Sequence, residues 1–107
     1  KNGKSRPRRP LFLEVDWYAT WGLVRALIKT GAVEYVFLDW RYQEFVYRAA
    51  VNMDATPEEL DEWIQWPRPR VSTKGIFRHS KDHLSHIHVR FKCAPWENEC
   101  KGKVAKP

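Results

Sequence analysis

The four histidines of this 107-residue sequence, His79, His83, His86 and His88, fall within ten positions near its C-terminal end. Imidazole binds transition metals readily and exchanges a proton near neutral pH, so this cluster is the first chemical signal in the chain. His86 and His88 stand in an alternating segment, HIHVRFK (86–92). On a strand, both rings project from one side, about 7 Å apart between Cα atoms. One ring can then ligate a metal while the other reaches its bound water, and His83, three residues earlier, can fold back toward that water. Asp82 and Asp39 are candidate acceptors for ring N–H groups, the partners that fix a ligating histidine's tautomer. His79 or Asp82 could also complete a site locally. The alternative is plain: the same strand face carries Arg90 and Lys92, and a solvated basic face needs no metal.

Such a cluster has to be held by a fold. From Asp16 the pattern turns helical, with Trp21, Val24 and Ile28, together with Leu23 and Leu27, recurring at i, i+3, i+4 and i+7. Asp16 or Thr20 can cap this helix and Gly31 can end it. VEYVFLD (33–39) is β-branched and aromatic and reads as a buried strand. Tyr42, Phe45, Val46 and Ala49 mark a second helix over 41–50. Thr56-Pro57-Glu58-Glu59 supplies a capping hydroxyl, a proline in the first turn and a glutamate three residues on, which opens a third helix ending near Gln65, before Pro67. Residues 67–82 read as a long loop, and such loops are often functional. In the strand 86–92, Ile87, Val89 and Phe91 should meet the helices while His86, His88, Arg90 and Lys92 line a groove. The order predicts an α+β domain in which helices pack on one face of a small antiparallel sheet. Residues 1–11 read as a basic arm, 12–100 as the domain and 101–107 as a disordered tail.

Composition sets limits. One small domain is all that 107 residues allow, and 43% hydrophobic residues with six tryptophans can fill its core. No stretch of about 18 apolar residues is present, so no membrane span is expected. KNGKSRPRRP lacks the apolar run of a signal peptide, which leaves a cytosolic protein or a sequence that starts downstream of its export signal. A net charge of +6 favours acidic partners such as nucleic acid, anionic lipid or an anionic wall polymer, or serves solubility alone. The basic residues concentrate in the first ten positions and again at Arg68, Arg70, Lys74, Arg78 and Lys81. Helix-turn-helix, zinc-finger and RNA-recognition signatures are absent, so nucleic acid is the weaker expectation. Cys93 and Cys100, in CAPWENEC, could form a disulfide, remain free thiols or bind a structural metal.

The segment DHLSHIHVRFKCAPWENEC resembles the C-terminal motif of penicillin-insensitive murein endopeptidases, relatives of lysostaphin-type enzymes, D-alanyl-D-alanine metallopeptidases and hedgehog signalling domains. In that family His-x-x-His-x-His-Val-Arg precedes a cysteine. The upstream stretch DWYATWGLVRALIKTGAVEYVFLDWRYQEFVYRAA is similar to the family's helix, strand and next helix, so the resemblance spans roughly residues 12–100. It implies the C-terminal part of a hedgehog/D-Ala-D-Ala peptidase-like domain that cleaves the D-alanyl–diaminopimelate cross-link of peptidoglycan with zinc. It implies His88 as a zinc ligand, His83 and His86 as the catalytic pair, and a Cys93–Cys100 disulfide suited to the periplasm. Zinc with an open position acidifies its bound water and polarises a peptide carbonyl. The substrate carries carboxylates, which Arg68, Arg70, Lys74 and Arg78 could bind. The family's other two zinc ligands stand in a His-x6-Asp motif upstream of the first helix, and this sequence has none. The chain is therefore expected to lack part of its own catalytic domain and to hold zinc poorly alone. Two other readings stand beside this one: a non-catalytic basic module for nucleic acid or an anionic wall polymer, and a degenerate relative that binds peptidoglycan without cutting it.

Overall fold

A computed structural model describes residues 15–81, 87–94 and 96. The expected basic arm and C-terminal tail, with Asp82, His83, His86 and Cys100, lie outside the described residues. In chain order the elements are α1 (Trp17–Lys29), β1 (Val33–Phe37), α2 (Trp40–Asn52), α3 (Pro57–Trp63), β2 (Phe77–Arg78) and β3 (His88–Phe91).

The helix boundaries follow local chemistry. The Asp16 carboxylate accepts from the Ala19 N–H and caps α1, and Gly31 takes the left-handed conformation (φ +79°) just past its end. The Asp39 carboxylate accepts from the Arg41 N–H at the start of α2. Thr56 and Glu59 form the expected reciprocal capping box of α3. Glu59 also lies within ion-pair distance of Arg25 and Lys29, 3.5 and 3.6 Å away, which ties α3 to α1.

The sheet is mixed, not antiparallel throughout, with strand order β2-β1-β3. β3 runs antiparallel to β1, as expected, pairing Phe37 with His88, Val36 with Val89 and Tyr35 with Arg90. β2 runs parallel to β1, pairing Val36 with Phe77 and Phe37 with Arg78. A parallel neighbour needs a crossover, and α2 with α3 provides it. β2 lies inside the segment expected to be loop. At two residues it is too short to show a period, and its backbone bonds from Val36 N to Ile76 O and Leu38 N to Arg78 O are set by tertiary packing.

The core gathers Trp21, Val24 and Ile28 from α1, Val46, Ala49 and Ala50 from α2, Val33, Val36 and Leu38 from β1 and its end, and Ile64 and Phe77. Ile87 and Val89 pack against it as the alternation requires. Phe91 does not: it is half exposed at the sheet's end, where its register partner Val33 lies beyond a bulge. Leu23 likewise points to solvent, since it lies off the helical face that Trp21, Val24 and Ile28 define. On α2, Tyr42 and Phe45 are only half buried and surround Trp17 with their rings.

Two buried glutamines fasten the crossover to the sheet. Gln65 Nε2 donates to the carbonyls of Pro69, Arg70 and Ser72, while its Oε1 accepts from the His79 N–H and from Gln43 Nε2. Gln43 Nε2 also donates to Leu38 O, and its Oε1 accepts from the Trp66 N–H. The loop thus closes on side-chain amides where strand ladders are missing. Gly75 makes this closure possible: its φ is +102°, and a Cβ there would sit 2.8 Å from the Gln65 backbone nitrogen.

Candidate functional site

β1 presents two unlike faces. Val36 and Leu38 point into the core, and Tyr35 and Phe37 project from the opposite, open face. Residues paired across strands share a face. The open face therefore carries His88 beside Phe37, Arg90 beside Tyr35, and Arg78 from β2. The His88 ring meets Phe37 edge-on, with centroids 6.1 Å apart, and Phe37 in turn lies 5.7 Å from Tyr35. The Arg78 guanidinium sits 4.9 Å over the Tyr35 ring. His88 is exposed and stands where β3 begins, directly after the segment that holds His83 and His86.

The other expected participants are near the same end of the sheet but already engaged. Asp39 follows β1, and His79 follows β2, so both stand at the carboxyl ends of the parallel pair, a usual place for sites in such sheets. Asp39 is 1% exposed and accepts from the Arg41 N–H and Nε, at 2.9 and 3.0 Å, and from Arg41 Nη2 at 3.2 Å. Burial pushes its pKa up, but the hydrogen bonds and charge of Arg41 outweigh this and hold it below the ordinary Asp value. His79 Nδ1 accepts the Trp40 N–H at 2.9 Å and so caps α2 together with Asp39.

That last bond fixes chemistry. A ring whose Nδ1 accepts a backbone N–H carries its proton on Nε2 and has no lone pair left for a metal. His79 as placed is no zinc ligand, and Asp39 is held by Arg41 instead of orienting a histidine ring. Among the described residues, no three His, Cys, Asp or Glu side chains gather as a metal site. The described residues do not make a zinc centre, and His88 is the one member of the expected set that stands on the open face among them.

The four basic candidates separate. Arg78 shares the open face with His88. Arg68 faces α3, donating to Ile64 O and pairing with the Asp61 carboxylate at 2.6 Å. Arg70 and Lys74 are exposed in the loop between Pro67 and Gly75. Cys93, beyond β3, is 1% exposed and is not a free thiol. A pocket of about 390 Å³ between α2, α3 and Trp66 includes Arg68 but none of the described histidines. A smaller one, about 260 Å³, opens at the sheet and is lined by Glu34, Tyr35, Arg78 and Lys92 among others. Glu34, Tyr35 and Phe37 escaped the sequence reading as site residues. Their signal was a glutamate and two aromatics inside a strand otherwise built from valines.

Compared with protein-family models, curated proteins and solved structures, the chain matches none.

Proposed function

We propose that this chain is the C-terminal part of a zinc-dependent endopeptidase that cleaves D-alanyl–diaminopimelate cross-links in peptidoglycan. The observation that carries the reading is the position of His88. It opens β3 on the uncovered sheet face, follows the His83–His86 segment directly, and has Arg78 and Arg90 on the same face. In this reading His88 binds zinc and His83 and His86 serve as the catalytic pair. One of the two takes the proton of the attacking water and the other stabilises charge on the intermediate. The remaining ligands come from a His-x6-Asp segment that this sequence does not contain. Arg78, free of any carboxylate partner among the described residues, meets a substrate carboxylate. A Cys93–Cys100 disulfide pins the end of β3, and the enzyme acts in the periplasm.

The test is a zinc titration of the chain followed through its histidine ring signals by NMR. The rings of His88, His83 and His86 are expected to respond, weakly and reversibly, while His79 stays silent because its Nδ1 is occupied. If His88 does not respond, or if His79 responds first, the reading fails.

A further inference from the structure

The first ten residues carry a motif that the proposed peptidase chemistry does not use. Arg6-Pro7-Arg8-Arg9-Pro10 sets two prolines three positions apart among three arginines. Proline fixes φ near the polyproline II value, and that helix turns once in three residues. In that conformation Pro7 and Pro10 share one face, about 9 Å apart, and the arginines occupy the other two. Segments with this proline spacing dock in aromatic-lined grooves.

The described residues hold such a groove, formed by α2, α3 and the segment after α3. It consists of two neighbouring pockets. One, of about 390 Å³, has Pro57, Leu60 and Ile64 in its wall, and the other, of about 260 Å³, has Val51 and Asn52. Tyr47 and Trp66 line both, and their rings meet edge-on with centroids 5.1 Å apart. Two hollows thus share an aromatic ridge.

The charges at the rim are uneven. Asp61 is paired with Arg68, and Glu44 with Arg48. Asp54 and Glu58 flank the pocket residues Ala55 and Pro57, are exposed, and have no basic partner among the described residues. The first ten residues, in contrast, carry five cations and no acid. Reach matches as well. The Tyr18 hydroxyl accepts from Asn52 Nδ2 at 3.0 Å, so the first turn of α1 stands beside the groove. Residues 11–16 join Pro10 to that turn, a stretch that can span about 20 Å.

We propose that this groove binds the chain's own Arg6–Pro10 segment, with the prolines in the two pockets and the arginines toward Asp54 and Glu58. A basic segment without prolines would leave both hollows empty. An apolar segment without arginines would leave the rim carboxylates unmet. The groove shares no residue with the open sheet face, so the inference does not rest on zinc at His88.

The test compares the full chain with its Pro7→Ala/Pro10→Ala variant, whose changes lie outside the described residues. NMR reads the Trp66 indole and Tyr47 ring signals while a synthetic peptide of residues 3–12 is titrated into each chain. The two chains should differ at both signals before any peptide is added. The peptide should bind the variant saturably at those signals. It should bind the unaltered chain about tenfold more weakly, because a segment tethered by a short linker competes at millimolar effective concentration. Adding Asp54→Asn and Glu58→Gln to the variant should weaken the peptide about tenfold. Glu62→Gln, on the same helix but off the groove, should change nothing. Equal peptide binding by the two chains, identical Trp66 and Tyr47 signals, or undiminished binding of a peptide without prolines overturns the proposal. A difference at Trp66 that fades on dilution would assign the groove to the arm of a second copy and overturn docking within one chain.

Discussion

The two faces of the sheet are built from the same three strands under opposite rules. On the covered face the large side chains are mainly apolar, and the two amides that intrude, Gln43 and Gln65, have donors and acceptors for each amide atom, while the Trp21 indole N–H is buried without an acceptor. On the open face the aromatic rings are half covered, the cations Arg78 and Arg90 stand among them, and Glu34 keeps an oxygen with no donor. Apolar packing on one side and exposed aromatic and cationic groups on the other separate the part of the molecule that holds the fold from the part free to bind. Substitutions on the covered face should therefore cost stability, and those on the open face should cost binding.

The largest effect is expected at the buried amides. Gln65→Leu removes the partner of three carbonyls and of the His79 and Gln43 donors at once. Each lost bond is worth about 1 kcal/mol and buried groups left unpaired add about 1–3 kcal/mol more. We expect a destabilisation of about 3–5 kcal/mol, measured by denaturant unfolding. A loss below about 1 kcal/mol would mean that water replaces the amide and that the covered face is wetter than its packing indicates.

Next comes Gly75→Ala. The alanine would hold φ +102° and press its Cβ to 2.8 Å from the Gln65 nitrogen. The strain should cost about 1–3 kcal/mol. The same substitution shifts the carbonyl that orients Arg78. It is the one change expected to reach both faces, lowering stability and shifting the Arg78 guanidinium signals in NMR. Unchanged Arg78 signals in a destabilised variant would show that Tyr35 alone holds the Arg78 fork.

These two positions also mark where the sequence was legible and where it was not. Helices announce themselves locally: Asp16, Thr56, Glu59 and Gly31 act within a few residues of their own positions, and the structure uses all four as read. The period-two alternation of 86–92 placed Ile87 and Val89 inward and His88 outward, as found. What failed was non-local. β2 has two residues and exists because Val36 and Leu38 donate to it. The parallel pairing follows from a crossover whose route no pattern in α2 or α3 states. Gln43 and Gln65 read as ordinary polar positions, because a glutamine's burial depends on partners more than 20 residues away. Of the candidates read from residue type and spacing, the structure brings His88 and Arg78 together on the open face. Glu34, placed by a bulge, carried no such signal. His79 and Asp39, read as possible partners of a metal site, bond to the start of α2.

Asp39 gives a smaller, pH-dependent effect that tests this last point. Its carboxyl is held below the ordinary value of 3.8, by Arg41 above all. A depressed carboxyl pKa contributes stability that is complete above the unfolded value and is lost as pH falls through the lower folded value. Asp39→Asn keeps an oxygen for the Arg41 N–H but gives up the charge. The wild-type chain should be the more stable at neutral pH, and the gap should close as pH falls below the ordinary 3.8 and through the lowered Asp39 value. A gap that persists unchanged into acid would show that shape and capping, not charge, set the role of Asp39.

The smallest effect on stability is expected at His88, and that smallness is the sharpest contrast between the faces. The side chain is exposed and meets Phe37 at its edge, so little apolar area is lost with it. His88→Ala should change unfolding free energy by no more than about 1 kcal/mol, the low end of single-substitution effects. Its effect on zinc should be of another order, since removing the ligand on the open face abolishes the response at His83 and His86. Phe37→Leu provides the control: it removes the ring against which His88 rests but leaves the imidazole, so zinc binding should survive with altered ring shifts. A His88→Ala chain that unfolds readily would make His88 a structural residue. It would return the His-x-His pair to the alternative of a basic strand face with no metal.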